Sequence, residues 1–404
     1  MAAITATELY KVFGKRPERG VQALRAGSRR EELREQGLTA AVIDASFEVQ
    51  HGQIFVVMGL SGSGKSTLIR MVNGLLDITS GSVEIDGDDV AGLSGERLRR
   101  VRREKVSMVF QHFALLPHRT VGENAAYALE IQGVNRADRE RRAEEALGMV
   151  DLAGWGPSMP DQLSGGMRQR VGLARALAAG TEILLMDEAF SALDPLIRRG
   201  MQDQLLDLQH RLDKTILFIT HDLNEAMRLG DRIAMMRDGR IEQIGSAEEI
   251  LDRPANNYVA QFVQDVDRTR VLTAGSVMEQ PVGVLGAEQG VLSAQKLMRE
   301  YQLTHLLVLN RDRTLCGMLH EPDVARAVAD LSKELPLLPP AEVSTVSAEQ
   351  VLAELFGAAA AHRAPIVVLD DHRRVAGIIP QVTLLAAAAG PMHQSEPATV
   401  GGVR

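Results

Sequence analysis

The stretch Gly59-Leu60-Ser61-Gly62-Ser63-Gly64-Lys65-Ser66-Thr67 decides the fold of this chain. It follows an apolar run, Ile54–Met58, that predicts a buried strand, and it precedes a helical pattern over 68–76. A glycine-rich turn between a strand and a helix is the context in which G-x-x-x-x-G-K-[ST] binds the phosphates of a nucleotide. We therefore predict a nucleoside triphosphate site. A glycine turn that binds no ligand is the alternative.

The residue types of this loop suit phosphate chemistry. Gly62 and Gly64 have no Cβ, so the backbone can curve around the phosphates and direct N–H groups at them. A helix that begins near Lys65 adds the positive end of its dipole. We expect Lys65 to reach the β- and γ-phosphates and the Ser66 hydroxyl to bind Mg²⁺. The predicted nucleotide-binding residues of the loop are Gly59, Ser61, Gly62, Ser63, Gly64, Lys65, Ser66 and Thr67.

The composition limits the possible classes of function. A length of 404 residues allows two or three domains, and 45% hydrophobic residues can fill sizeable cores although only 3% are aromatic. A net charge of −8 argues against general nucleic-acid binding. Cys316 is the single cysteine, which excludes internal disulfides and cysteine-based zinc sites and suits a reducing compartment. We expect no secretory signal and, without an apolar run of about 18 residues, no membrane-spanning helix.

Strands that alternate with helices predict a mostly parallel sheet in an α/β core. The charge-dense segment 15–36 predicts a surface helical insertion with a sparse apolar stripe of Val21, Leu24 and Leu33. A solvated face without a specific partner is the alternative. The polar helical pattern over 112–160 predicts an all-helical insertion attached to the nucleotide-binding core.

Four polar residues stand at the ends of predicted strands. Asp187 and Glu188 end one apolar strand, and Gln111 and His221 end two others. Because ligands gather at the carboxyl ends of strands in open α/β sheets, we expect these side chains to converge beside the phosphate loop. Asp187 suits Mg²⁺, Glu188 could polarise an attacking water, and Gln111 and His221 could reach the metal, the water or the γ-phosphate. Each could singly be an ordinary loop residue, but their order behind the loop predicts a hydrolytic site.

With these motifs in place, residues 1–260 resemble an ATP-binding cassette (ABC) transporter ATPase. The signature is the most specific match, although Met167 replaces the usual Gln. The matching segments are 59–67 (Walker A), Gln111 (Q-loop), 163–167 (signature), 183–188 (Walker B), 191–194 (D-loop) and His221 (switch histidine).

The resemblance implies a mechanism and a partner copy. Two cassettes would face each other head to tail with two ATP molecules between them. The signature and D-loop of one copy would then complete the ATP site of the other. The residues implied across the dimer are Ser164, Gly165, Gly166 and Asp194.

The resemblance also implies roles inside one copy. Glu188, His221 and Gln111 would be catalytic, and Ser66, Gln111 and Asp187 would bind Mg²⁺. The helical insertion would dock a membrane permease. Phe13 stands where the family places the aromatic that stacks on adenine, with a core phenylalanine as the alternative.

The last third of the chain contains an internal repeat. Residues 306–310 match 366–370, and 317–319 match 377–379, both at an offset of 60 residues (366 minus 306). The repeat resembles a pair of cystathionine β-synthase (CBS) motifs. The positions that bind adenosine nucleotides in many such motifs hold His320 with Asp323, and Pro380 with Thr383, so neither repeat carries the full set. Nucleotide binding, dimerisation alone and sensing by charge stay open.

We therefore predict three segments. They are an ABC ATPase domain over 1–263 with a helical subdomain over about 112–180, a tandem CBS module over 264–390 (about 272–330 and 340–390), and a disordered tail over 391–404.

A cassette ATPase followed by paired CBS motifs resembles the ATPase subunits of glycine betaine/proline (quaternary amine) importers. The resemblance implies a peripheral protein at the cytoplasmic face of the cell membrane, with a second copy, a permease and, indirectly, a solute-binding protein as partners. In that branch the CBS module is linked to sensing ionic strength. An importer of another solute, such as choline or an amino acid, a soluble ABC ATPase without a permease, and a non-enzymatic CBS scaffold are the alternatives.

Overall fold

The computed structural model of this chain describes residues 2–111, 113–264, 266–361 and 364–389. The chain forms two compact units, each held by its own internal contacts, and the first unit ends at Gln264. Each unit has hydrophobic clusters of its own. The tail predicted over 391–404 lies outside the described residues.

A six-stranded sheet forms the centre of the first unit, in the order β10-β9-β3-β8-β7-β6. Its strands are β3 (Ile54–Met58), β6 (Val106–Val109), β7 (Ile183–Asp187), β8 (Thr215–Thr220), β9 (Arg232–Arg237) and β10 (Arg240–Gly245). All neighbours are parallel except the β9–β10 hairpin. Every residue of β3, β7 and β8 is buried, as expected for strands covered on both faces. The mostly parallel sheet is therefore present.

A second, antiparallel sheet was not predicted. Its order is β2-β1-β4-β5, with β1 (Ala2–Phe13), β2 (Thr39–Gln50), β4 (Ser80–Ile85) and β5 (Asp88–Asp89). The turn at His51-Gly52 joins β2 of this sheet to β3 of the six-stranded sheet. Buried side chains from both sheets share one core, where the rings of Phe47 and Phe55 stack with centroids 5.3 Å apart.

The helices of the first unit are α1 (Pro17–Arg25), α2 (Arg30–Glu35), α3 (Lys65–Val72), α4 (Gly95–Glu104), α5 (Val121–Ile131), α6 (Arg136–Met149), α7 (Gly165–Ala178), α8 (Pro195–Leu212), α9 (Leu223–Leu229), α10 (Ala247–Asp252) and α11 (Asn257–Val263). The predicted helical segment is present as α5, α6 and α7, but it begins at Val121 because 113–120 form loop and turn.

The charged insertion packs on the antiparallel sheet. Val21 and Leu24 of α1 and Leu33 of α2 are buried in one cluster with side chains of β1 and β2. The sparse apolar stripe is therefore the face that the sheet covers, while most charged side chains of the insertion are exposed, and whether they meet a specific partner stays open.

The second unit repeats one supersecondary pattern. Its strands are β11 (Val284–Gly286), β12 (His305–Leu309), β13 (Leu315–His320), β14 (Thr345–Ser347), β15 (Ile366–Leu369) and β16 (Val375–Ile379). Its helices are α12 (Ala274–Val277), α13 (Val291–Glu300), α14 (Glu321–Ala329), α15 (Leu352–Ala361) and α16 (Gln381–Ala389). Each three-stranded sheet pairs its first two strands in parallel and its last two antiparallel. The short first strands, β11 and β14, were not predicted.

The registers of the two sheets agree as the sequence repeat requires. Val308 pairs with Gly317 in the first sheet, and Val368 pairs with Gly377 in the second. Side chains of both repeats meet in one cluster. Across the described residues of both units, no helix combines the length and the apolar character needed to cross a membrane.

Candidate functional site

The phosphate loop connects the buried strand β3 to the N-terminus of α3. The Lys65 ammonium donates hydrogen bonds to the carbonyl oxygens of Gly59 (2.8 Å) and Leu60 (3.1 Å). Burial lowers the pKa of Lys65 from its ordinary value. Gly64 has a φ of +104°, and a Cβ there would collide with the carbonyl oxygen of Ala41. The loop thus needs glycine at this position both for its conformation and for its contact with β2.

Ser66 and Asp187 meet at the base of the loop. The Ser66 hydroxyl donates to Asp187 Oδ1 at 3.0 Å, and burial raises the pKa of the Asp187 carboxyl. A serine hydroxyl beside a carboxylate is a hard oxygen set of the kind that Mg²⁺ prefers. These residues fit a magnesium ion. Gln111, the third predicted ligand, instead bonds other residues.

Glu188 is the point where the other predicted residues converge. Its Oε2 lies 3.1 Å from His221 Nδ1 and accepts a hydrogen bond of 3.3 Å from Gln111 Nε2. Gln111 Nε2 also lies 3.4 Å from the hydroxyl of Ser191, which donates to the Glu188 carbonyl at 2.9 Å. His221 follows β8 directly, whereas Gln111 lies two residues beyond the end of β6 rather than at it. The carboxylate therefore joins the ends of three parallel strands.

One cavity lies at the phosphate loop, and a second cavity shares Arg30 with it. A cavity of about 220 Å³ is lined by Arg30 of the charged insertion, by Ala41, by Glu188 and by the loop residues Ser61, Gly62 and Gly64 to Thr67. A second cavity of about 340 Å³ also has Arg30 in its wall, together with Thr39 at the start of β2. No sequence pattern pointed to Arg30, because only the fold brings the insertion to the loop.

Phe13 lies at the end of β1, opposite Thr39 of β2. Its ring is 40% exposed, and the Lys11 ammonium lies 5.0 Å from the ring centroid. Phe13 is not a core residue, so that alternative is wrong. It also does not line the cavity at the phosphate loop.

The signature residues begin α7. Ser164 caps this helix by accepting a hydrogen bond of 3.3 Å from the Met167 amide. Gly166 is buried against Ile197 of α8, so closely that a Cβ would lie 2.7 Å from that side chain. Asp194 is exposed immediately before α8. None of Ser164, Gly165 and Asp194 lines the cavity of the same chain's phosphate loop.

An apolar groove of about 350 Å³ lies between the central sheet and the helical segment. Leu75, Phe110, Tyr127 and Ile131 supply apolar and aromatic surface, and Arg102, Arg103 and Arg175 supply positive charge. Phe110 is 36% exposed and Ile131 is 55% exposed, so large apolar side chains remain accessible there.

In the second unit, the positions that bind adenosine nucleotides in many CBS motifs contact other side chains of the same unit. His320 Nδ1 lies 3.5 Å from an oxygen of Asp323, and its ring stacks on His305 with centroids 4.9 Å apart. In the second repeat Thr383 donates a hydrogen bond of 2.5 Å to Glu279. Burial lowers the pKa of His305, and the nearby charge of His320 lowers it further.

Comparisons with known proteins place this chain among its relatives. The ABC transporter family profile matches residues 42–191, and the CBS domain profile matches residues 274–330. The glycine betaine/carnitine transport ATP-binding protein of Listeria monocytogenes serotype 1/2a (strain 10403S) is 49% identical over 391 residues, which covers 96% of this chain and 98% of that protein. The glycine betaine/proline betaine transport system ATP-binding protein of Escherichia coli (strain K12) is 44% identical over 383 residues, which covers 94% of this chain and 96% of that protein.

A solved structure also matches part of this chain. The ATP-binding cassette MJ0796, in a dimeric post-hydrolysis state bound to ADP and Pi, has a TM-score of 0.52 and 31% identity to this chain. The match covers 60% of this chain and 98% of that one.

Proposed function

Since this chain belongs to the family of ABC transport ATP-binding proteins that act in glycine betaine transport, we propose that it hydrolyses ATP to energise import of glycine betaine and related osmoprotectants. The single observation that carries the proposal is the convergence of Gln111 and His221 on Glu188 beside a complete phosphate loop. The two relatives share glycine betaine in their names and differ in the second solute, so glycine betaine is the solute we favour.

The loop residues hold the nucleotide in this proposal. Amides of residues from Gly59 to Thr67 and the Lys65 ammonium bind the phosphates, since buried donors at short range are what phosphate oxygens require. Ser66 and Asp187 would hold Mg²⁺, with Gln111 reaching it after its bond to Glu188 is released. The ion would neutralise charge on the β- and γ-phosphates.

Glu188 acts as the general base. Its carboxylate is held by Gln111 and His221, so it is oriented before a water molecule enters. His221 can then donate a hydrogen bond to the γ-phosphate while it keeps Glu188 in place. A positioned general base contributes about 10² to 10⁴ in rate.

A second copy completes the site. Ser164 and the amides of Gly165 and Gly166 begin a helix, and they stand apart from their own chain's loop cavity. The N-terminus of a helix binds anions well. We propose that these residues and Asp194 face the ATP bound by the partner copy. The dimeric state of the MJ0796 cassette supports the association of two copies. Phe13, exposed at the end of β1, would stack on adenine.

The apolar groove is the proposed docking surface for the permease. Exposed apolar side chains, here Leu75, Phe110 and Ile131, rimmed by arginines are typical of a surface that receives an amphipathic helix. We therefore propose a peripheral position at the cytoplasmic face of the membrane, with a solute-binding protein as an indirect partner. The second unit, a tandem CBS module, would regulate this activity; salt screening of its charged contacts with lipid is one route.

One experiment tests both the chemistry and the solute. The chain is reconstituted in vesicles with its permease and solute-binding protein, and ATP-dependent uptake of labelled glycine betaine is measured beside phosphate release. Glu188→Gln is expected to lower both rates at least 100-fold, while ATP still dimerises the purified variant. Normal turnover by Glu188→Gln, or no ATP-stabilised dimer, would refute the assignment. ATP-dependent uptake of choline or an amino acid alone would assign another solute.

A further inference from the structure

The charged insertion between β1 and β2 brings one arginine to the nucleotide cavity. Arg30, the first residue of α2, lines the cavity at the phosphate loop and also the larger cavity beside it. Its side chain is 28% exposed. From this position we infer that Arg30 binds the nucleotide at its α-phosphate and ribose, and that the insertion forms one wall of the site. The inference rests on the function proposed above and adds a residue to it.

Contacts on the insertion fix the position of Arg30. One turn along α2, Leu33 is fully buried against β1 and β2. The Leu38 amide donates to the Leu33 carbonyl at 2.9 Å, which closes the end of the insertion onto β2. A helix anchored in this way holds its first residue in place, so Arg30 needs little ordering when a ligand binds.

The guanidinium is also held from the other side. Arg30 Nη1 donates to Asp238 Oδ1 at 3.1 Å in the turn between β9 and β10. The next residue, Gly239, donates its amide to the Ser63 carbonyl at 3.0 Å and accepts from the Ile43 amide at 2.8 Å. The turn that orients Arg30 is therefore bonded directly to the phosphate loop.

The two cavities give the direction in which a nucleotide would lie. Glu188 marks the reacting end of the first cavity, where the γ-phosphate belongs. Thr39 lines the second cavity, and it is the cross-strand partner of Phe13, the proposed adenine-stacking residue. Arg30 lies in the walls of both cavities. It therefore stands between the phosphate loop and the adenine end, where the α-phosphate and ribose would lie.

The chemistry of the side chain suits this place. A guanidinium has five N–H donors in a planar fork and binds phosphate oxygens well. Asp238 is the one hydrogen-bond partner that the described residues provide for Arg30, so most donors remain available. The second cavity has Glu31 as well as Arg34 in its wall, and this mixed charge suits a neutral ribose better than a further phosphate.

The test measures nucleotide affinity of the full-length protein. Isothermal titration with Mg·ATP and with Mg·ADP compares wild type, Arg30→Gln, Arg29→Gln and Lys65→Ala. Arg29 is the matched control, because it is the adjacent residue and its side chain, paired with Glu32, is 78% exposed. We expect Arg30→Gln to raise Kd for both nucleotides by about tenfold, a change of about 1.4 kcal/mol. ATP and ADP are affected equally because both carry the α-phosphate. Arg29→Gln should leave both Kd values unchanged.

The outcomes separate this inference from the proposed function. Wild-type affinity in Arg30→Gln, together with lost affinity in Lys65→Ala, would overturn the role of Arg30 and leave the ATP site intact. Wild-type affinity in Lys65→Ala would overturn the ATP site itself. A larger effect on ATP than on ADP would place Arg30 at the γ-phosphate and overturn the assignment to the α-phosphate. Unchanged urea unfolding of Arg30→Gln, followed by the fluorescence of Trp155, excludes a folding defect as the cause.

Discussion

Leu33 is the most deeply buried residue of the insertion's apolar stripe. Its side chain is fully buried in a cluster with Val12 of β1, with Leu38 just before β2 and with Ala40 of β2. Leu33→Ala removes three carbon atoms from this cluster. Leucine-to-alanine substitutions in cores cost about 2 to 5 kcal/mol, as lost burial plus the cavity left behind. The cluster is small and lies apart from the main core, so we expect about 2 to 3 kcal/mol for this site.

The assay uses the single tryptophan of the chain. Trp155 lies in the first unit, so its fluorescence during urea unfolding reports on that unit alone. We expect the midpoint of Leu33→Ala to fall without a change in the slope against urea. Because α2 also carries Arg30, the Kd for ATP should rise by at least the factor seen in Arg30→Gln.

Two controls make the result decisive. Leu33→Met keeps the side-chain volume and should cost less than about 1.5 kcal/mol. Leu196→Ala removes the same atoms from a side chain that is 87% exposed, and without ATP it should change stability by less than about 0.5 kcal/mol. Surface substitutions change the free energy of unfolding by about 0.5 kcal/mol or less. If Leu33→Ala changes it by no more than that, the packing argument is refuted. If it is destabilised but binds ATP normally, the insertion is not a wall of the site.

Two further predictions concern the loop glycines and pH. Gly64→Ala should destabilise the first unit by at least about 2 kcal/mol and abolish ATP binding, because its φ is +104° and its Cβ would meet the Ala41 carbonyl. Gly62→Ala should cost only about 1 to 2 kcal/mol, since its φ is +79° but nothing lies within 4 Å of its Cβ; equal effects in the Trp155 assay would contradict this reasoning. The pKa of His305 is lowered in the folded chain, so the unfolded chain binds a proton at a higher pH than the folded chain does. The second unit should therefore lose stability as the pH falls through about 6.5, the ordinary pKa of histidine in an unfolded chain. Hydrogen exchange across 305–320 would measure this loss, and an equal loss in His305→Gln would show that another group is responsible.

The sequence predicted the parts of the molecule in which local pattern and chemistry coincide. The buried runs of β3, β7 and β8 are nearly continuous apolar segments, and the loop after β3 is specific enough to name its ligand class. The ABC cassette followed by a CBS module is confirmed by the family profiles and the relatives. The roles of the individual site residues stay predictions.

The parts that were not predicted depend on long-range pairing. The local sequence patterns of β1 and β2 favour strands, but nothing in them indicates that these strands pair with each other and with β4 in a separate antiparallel sheet. In the sequence, nothing distinguishes Arg30 from the other charged residues of the insertion. Its position at the nucleotide cavity depends on the burial of Leu33 and on Asp238, which lies 208 residues further along the chain. A helix pattern alone cannot supply such contacts.

The two residues that follow β6 connect the apolar groove to the Glu188 carboxylate, the proposed general base. Phe110 lines the apolar groove, and Gln111, the next residue, holds Glu188 through a bond of 3.3 Å. A polar contact beyond about 3.5 Å is no longer a hydrogen bond. We therefore expect a permease helix that displaces Phe110 by a few tenths of an ångström to break the bond between Gln111 and Glu188 and to leave the carboxylate held by His221 alone. Because Phe110 and Gln111 are adjacent, docking at the groove would in this way change the geometry of the hydrolytic site without any large movement of the sheet.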